Sequence, residues 1–129
     1  RFIITLNGIC RYKIVQELDT LTPYRQVKVA YEEFENDLTP GYNQDKANRD
    51  KLLDVLKKYL EKNNLQIDWD AVKGSPTETL VNSLCSLSPY SSEEKQALLE
   101  AEDTQKRNEL LIAMTEMALS TNKGIESIQ

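Results

Sequence analysis

Ser91 to Leu119, SSEEKQALLEAEDTQKRNELLIAMTEMAL, is the stretch whose reading decides the fold. It contains two helical segments separated by a capping residue. Ser91 and Glu94 form a capping box, in which the serine oxygen accepts from the third helical N–H and the glutamate reaches back to the serine N–H. Ala97, Leu98 and Ala101 follow on one face. Asp103 caps the second segment, where Leu110, Leu111, Met114, Met117 and Ala118 recur at i, i+3, i+4 spacing and predict a core-facing stripe. Asn122-Lys123-Gly124 ends this helix, and residues 123–129 form a polar tail.

Upstream, three more helical readings follow. Asp45 to Asn63 carries Leu52, Leu53, Leu56, Tyr59 and Leu60 along one stripe, and Asp54 and Lys58 make a favourable i, i+4 pair. Asn63-Asn64 ends that helix. Asp68 caps a short turn, Trp69 to Lys73, closed by Gly74. Ser75-Pro76-Thr77-Glu78 reads as an N-cap serine, a first-turn proline and an N3 glutamate, opening a helix with Leu80, Val81, Leu84 and Leu87 that Ser88-Pro89 stops.

The amino-terminal part reads as strands. Phe2 to Leu6 and Ile9 to Val15 flank Asn7-Gly8, and these two residues tolerate the positive φ of a type I′ turn, so the pattern predicts a hairpin. Cys10, Tyr12 and Ile14 alternate with Arg11 and Lys13, which predicts one core face and one wet face. A third strand covers Tyr24 to Tyr31, after a connection at Leu21-Thr22-Pro23. Strands followed by helices make the class α+β. The expected organisation is an antiparallel strand region over 1–36, a linker over 37–44, a helical subdomain over 45–122 and the tail over 123–129.

Two of these stretches resemble one known family. EKQALLEAEDTQKRNELL (Glu94 to Leu111) is similar to the closing helical hairpin of the Lon-protease amino-terminal domain, the LON substrate-binding domain. ITLNGICRYKIVQEL (Ile4 to Leu18) followed by TPYRQVKV (Thr22 to Val29) resembles that family's strand, glycine, Arg-aromatic strand, turn, Tyr-Arg strand pattern. The resemblance implies a PUA-like β-barrel followed by a helical bundle, with this chain holding the last barrel strands and the bundle. It also implies a stand-alone bacterial LON-domain protein, truncated at its amino terminus, since the chain begins at Arg1 inside a strand-like run. An incomplete barrel has an exposed edge. Pairing of that edge with a second copy, or with an unrecognised strand, is the expected outcome.

The implied function is non-catalytic recognition of unfolded or damaged protein segments, through a groove between sheet and helices. Nothing in the residues argues for a reaction. The chain has no histidine, which removes Ser-His and Cys-His nucleophiles. Ser75, Ser91 and Ser92 sit at helix starts, where capping explains them. The four glycines match no phosphate-binding loop. Cys10 and Cys85 have no metal-ligand neighbours and read as reduced, small apolar residues of a cytoplasmic protein. The acidic run Glu32 to Asp37 lacks the spacing and glycine of a calcium loop. No catalytic, cofactor-binding or metal residue is therefore assigned, no cofactor is expected, and the ligand-binding residues are left open. Trp69, the sole tryptophan, and the Met114/Met117 pair read as core.

Charge distribution raises an alternative. Residues 1–31 hold Arg1, Arg11, Lys13, Arg25 and Lys28 against Glu17 and Asp19, whereas the remainder is net −8. A basic, tyrosine-bearing sheet would suit an RNA-binding module of PUA-like type. Alternation turns Tyr12, Tyr24 and Tyr31 inward, however, and the overall charge of −5 disfavours a phosphate backbone. A purely structural or assembly domain is the other alternative. No apolar run reaches the roughly 20 residues of a membrane helix.

Overall fold

The computed structural model describes residues 2–121. The predicted helix end at Asn122-Lys123-Gly124, the polar tail and Arg1 lie outside the described residues. The chain divides into two compact units, Arg1–Pro40 and Gly41–Gln129. Strands precede helices, so the class is α+β.

In the first unit, β1 (Lys13–Leu18) pairs antiparallel with β2 (Gln26–Ala30). Lys13 lies opposite Ala30, Ile14 opposite Val29 and Gln16 opposite Lys28, so Val15 is an extra residue that bulges the ribbon. The bulge breaks the two-residue alternation, and all six side chains of β1 are exposed. The predicted core face of Cys10, Tyr12 and Ile14 is therefore corrected: Ile14 and Val15 are 61% and 59% exposed. A two-stranded ribbon has no second layer to cover either face.

The Asn7-Gly8 hairpin is also corrected. Residues 2–12 form no strand, and among the described residues Gly41 is the only glycine with positive φ. Asn7-Gly8 thus does not hold the left-handed backbone of a type I′ turn. Lys13–Leu18 takes β2 as its partner, and Phe2 and Ile3 stand 95% exposed.

After β2, Glu32–Leu38 winds as 3-10 turns kinked at Phe34. Arg11 clasps this segment. Its guanidinium donates to both Asp37 oxygens, and its carbon lies 4.4 Å from the Phe34 ring centroid.

The second unit holds α1 (Arg49–Lys62), α2 (Trp69–Gly74), α3 (Thr77–Leu87), α4 (Ser92–Glu100) and α5 (Thr104–Thr121). Helices α1, α3 and α4 each pack on α5. Their core is Leu52, Val55, Leu80, Val81, Leu98, Leu111 and Ile112. Each such side chain contributes on the order of 1.5–3 kcal/mol by leaving water.

Helix α1 begins at Asn48, whose side chain accepts from the Lys51 N–H, four residues later than the apolar stripe suggested. Asn63 caps its end and Asn64 turns the chain with φ 53°. Arg49 ties its start to α2 and α3, donating to the Val72 carbonyl at 2.7 Å and to Thr77 Oγ1 at 3.1 Å.

At α3 the predicted Ser75 cap is replaced. Ser75 Oγ instead donates to the Ala71 carbonyl at the end of α2. The Glu78 N–H donates to Gln44 Oε1 at 3.3 Å, and its carboxylate accepts from the Gly41 N–H at 2.7 Å. Gly41 has φ 73°, and a Cβ there would collide with the Gln44 side-chain amide. A remote turn thus performs the capping that a local serine was expected to perform.

The Ser91–Glu94 capping box forms as read. Asp103 Oδ1 accepts from the Lys106 N–H at 2.9 Å at the start of α5. The buried face of α5 is rotated from the predicted stripe, however. Thr104, Asn108, Leu111, Ile112 and Thr115 are buried, and Met117 is 68% exposed. Small polar residues lie on the helix-facing side because each finds a partner inside. Thr115 donates to the Leu111 carbonyl and shares a hydrogen bond with the Tyr90 hydroxyl at 2.9 Å.

Candidate functional site

Two surfaces stand out, one in each unit. In the second unit an open cleft of about 350 Å³ lies between the end of α1 and the start of α2. Leu60, Leu65, Ile67 and Trp69 supply apolar walls, with Lys57, Glu61 and Gln66 around them. The turn at Asn63-Asn64 forms this cleft by folding the chain back. The Leu65 N–H closes onto the Leu60 carbonyl at 2.9 Å, and Leu65–Asp68 then runs without helix or strand to the α2 cap. Asp68 accepts from the Asp70 and Ala71 N–H groups and fixes where Trp69 emerges.

Trp69 is therefore only partly buried, a correction to its core assignment. The signal available in the sequence was the alternation of Leu65 and Ile67 immediately before the single tryptophan. Met114 packs partly against the core as expected, and Met117 does not.

In the first unit the apolar surface is larger. Phe2, Ile3, Ile4, Leu6, Ile9 and Leu21 are all exposed beside the ribbon. Tyr12, Tyr24 and Tyr31 are exposed too, against the inward orientation that alternation predicted. Tyr12 and Tyr31 meet edge to face, with centroids 6.3 Å apart.

The basic residues of this unit are largely neutralised. Arg11 pairs with Asp37 at 2.7 Å, Lys13 with Glu33 at 3.0 Å and Arg25 with Glu17 at 2.6 Å. The Arg25 guanidinium, by hydrogen bond and by charge, holds the Glu17 carboxyl below its usual range. The acidic run Glu32 to Asp37 thus spends Glu33 and Asp37 on the ribbon's cations. A surface compensated in this way offers a phosphate backbone little counterion release.

The serines and cysteines occupy structural positions. Ser91 caps α4, Ser75 donates to a carbonyl, and the Lys95 ammonium donates to the Ser86 carbonyl at 3.2 Å. Both cysteines are free. Burial pushes the Cys85 thiol up to about 11, with the Arg107 charge offsetting part of the effect. That thiol is a poor nucleophile near neutral pH. No helix among the described residues is long and apolar enough to cross a membrane.

No curated protein and no solved structure matches the chain. A family model does, over residues 1–116, which takes in the ribbon, the cleft and most of α5. The described family is a substrate-binding domain and not a catalytic one. On this match the chain belongs to the ATP-dependent protease La (LON) substrate-binding domain family.

Proposed function

We propose that this chain is a non-catalytic module that binds unfolded or damaged protein through exposed apolar segments. The observation that carries the reading is the apolar surface left in water beside a ribbon with two free edges. Ile14 and Val15 are more than half exposed, and Phe2 and Ile3 almost wholly so. A contiguous apolar surface of this kind marks an interaction site. Strand edges add main-chain hydrogen bonds to whatever extended segment arrives. Membership of a substrate-binding family supplies the class of ligand.

The same edges suit self-association, and a second copy pairing along the ribbon is part of this reading. Two free thiols suit a reducing compartment such as the cytoplasm. Recognition without chemistry is the role assigned, with the paired cations of the ribbon favouring protein over RNA. The test is suppression of aggregation of a heat-unfolded client by the purified chain. Dose-dependent suppression is expected; a client that aggregates at an unchanged rate removes the reading. Light scattering over a range of concentrations tests the dimer separately.

A further inference from the structure

We propose that the cleft between α1 and α2 holds an extended apolar polypeptide segment flanked by lysine or arginine. Its main chain pairs with Gln66 and Ile67, and one bulky side chain enters against Trp69. This deepens the recognition reading above and rests on it.

The main chain around the cleft is prepared for such a ligand. At one end Asn64 holds φ 53° and the Leu65 N–H is bonded to the Leu60 carbonyl. At the other, Asp68 is in the β region and caps α2. Between these fixed ends the N–H groups of Gln66 and Ile67 have no acceptor among the described residues. Held donors of this kind pair with an added strand at little further ordering cost.

The side chains define the remainder of the ligand. A volume of about 350 Å³ is at the low end for a ligand pocket, enough for one large side chain. Leu60, Leu65, Ile67 and Trp69 make its walls apolar, and Leu65 is 52% exposed in their absence of a partner. The charged surroundings are unequal. Glu61 lines the cleft, Asp68 and Asp70 bracket Trp69, and Lys57 is the single cation in the lining. Lys57 and Glu61 stand 4.0 Å apart, at the limit of an ion pair. Three carboxylates against one ammonium favour cationic flanks on the incoming segment.

Trp69 is the only tryptophan, so its emission reports on the cleft directly. The experiment titrates the whole chain with two peptides that share an apolar aromatic core, one flanked by lysines and one by glutamates. A saturable blue shift is expected with the first, with affinity about tenfold above the second. Leu65→Glu and Gln66→Pro, each checked by circular dichroism, are expected to weaken the lysine-flanked peptide about fivefold or more, the latter by deleting one donor. Equal affinity for both peptides, or unchanged affinity in both variants, overturns the proposal. So does a Trp69 shift driven by the protein's own concentration without peptide, which places a second copy in the cleft. If unfolded client still binds while Trp69 stays silent, the cleft assignment fails and the recognition reading stands. Loss of all binding removes both.

Discussion

Arg11 and Asp37 are joined three times. The guanidinium donates at 2.8 Å and 2.7 Å to the two carboxylate oxygens, and the Arg11 main-chain N–H donates at 2.9 Å to one of them. Both side chains are largely shielded from solvent, at 13% and 21% exposure. In a unit with no deep core, this clasp holds the ribbon's leading segment to the 3-10 turns. Asp37→Ala is expected to destabilise that unit by about 2 kcal/mol, because it strands a shielded cation and a main-chain donor. Hydrogen exchange at the amides of β1 and β2 measures this. Protection equal to wild type would show that the clasp is not what orders the ribbon.

Asn108 on α5 is fully buried, and its Oδ1 has no partner while its Nδ2 donates to the Asn48 carbonyl at 3.3 Å. That carbonyl also accepts from the Leu52 N–H. Asn108→Leu therefore leaves no new orphan and is expected to stay within about 1 kcal/mol of wild type or to stabilise. Asn108→Asp places a charge in the same site and is expected to cost about 3 kcal/mol. Urea denaturation of the two variants separates them; equal losses would contradict the assignment.

Asp103 links α5 to the turn that precedes α1. Partial burial works to raise its pKa, but the Lys106 N–H, the Asn43 side-chain amide and the Gln105 N–H outweigh it and hold the carboxyl below its ordinary 3.8. The folded state thus binds this proton less tightly than the unfolded one. The associated stability is fully present above pH about 4 and fades as pH falls through the depressed pKa. Asp103→Asn is expected to narrow the gap to wild type progressively between about pH 5 and pH 2. A gap that does not change over that range would contradict the linkage.

Cys85 is expected to resist alkylation. With its thiol at about 11, the thiolate fraction at pH 8 is about one in a thousand. Mass mapping after iodoacetamide should show Cys85 modified only slowly in native protein and readily in urea. Rapid native labelling would contradict its burial.

The local signals in the sequence were read well where partner and cap lie within one turn. Ser91 with Glu94, Asp68 before Trp69, and the Asp54–Lys58 pair at 2.6 Å all depend on residues at most four apart. Signals that depend on distant chain were not legible. Ser75 lost its capping role to Gln44 and Gly41, more than thirty residues away. Asn7-Gly8 carries strong turn chemistry, but its flanking strands have no layer to cover them, so pairing went to Gln26–Ala30. The α5 stripe was displaced because Asn108 and Thr115 found internal partners that no periodicity reveals. The cleft at Trp69 depends on the chain folding back after Asn64, which fixes Leu65 and Ile67 beside α1.

The whole account rests on this chain gripping polypeptide that has lost its fold. Fluorescence anisotropy of a labelled, reduced and alkylated client, titrated with the intact chain against the same client in its native state, tests this most directly. Saturable binding of the unfolded form, with the native form bound at least about tenfold more weakly, is the predicted result. Indifference to both forms, or equal affinity for them, would contradict it.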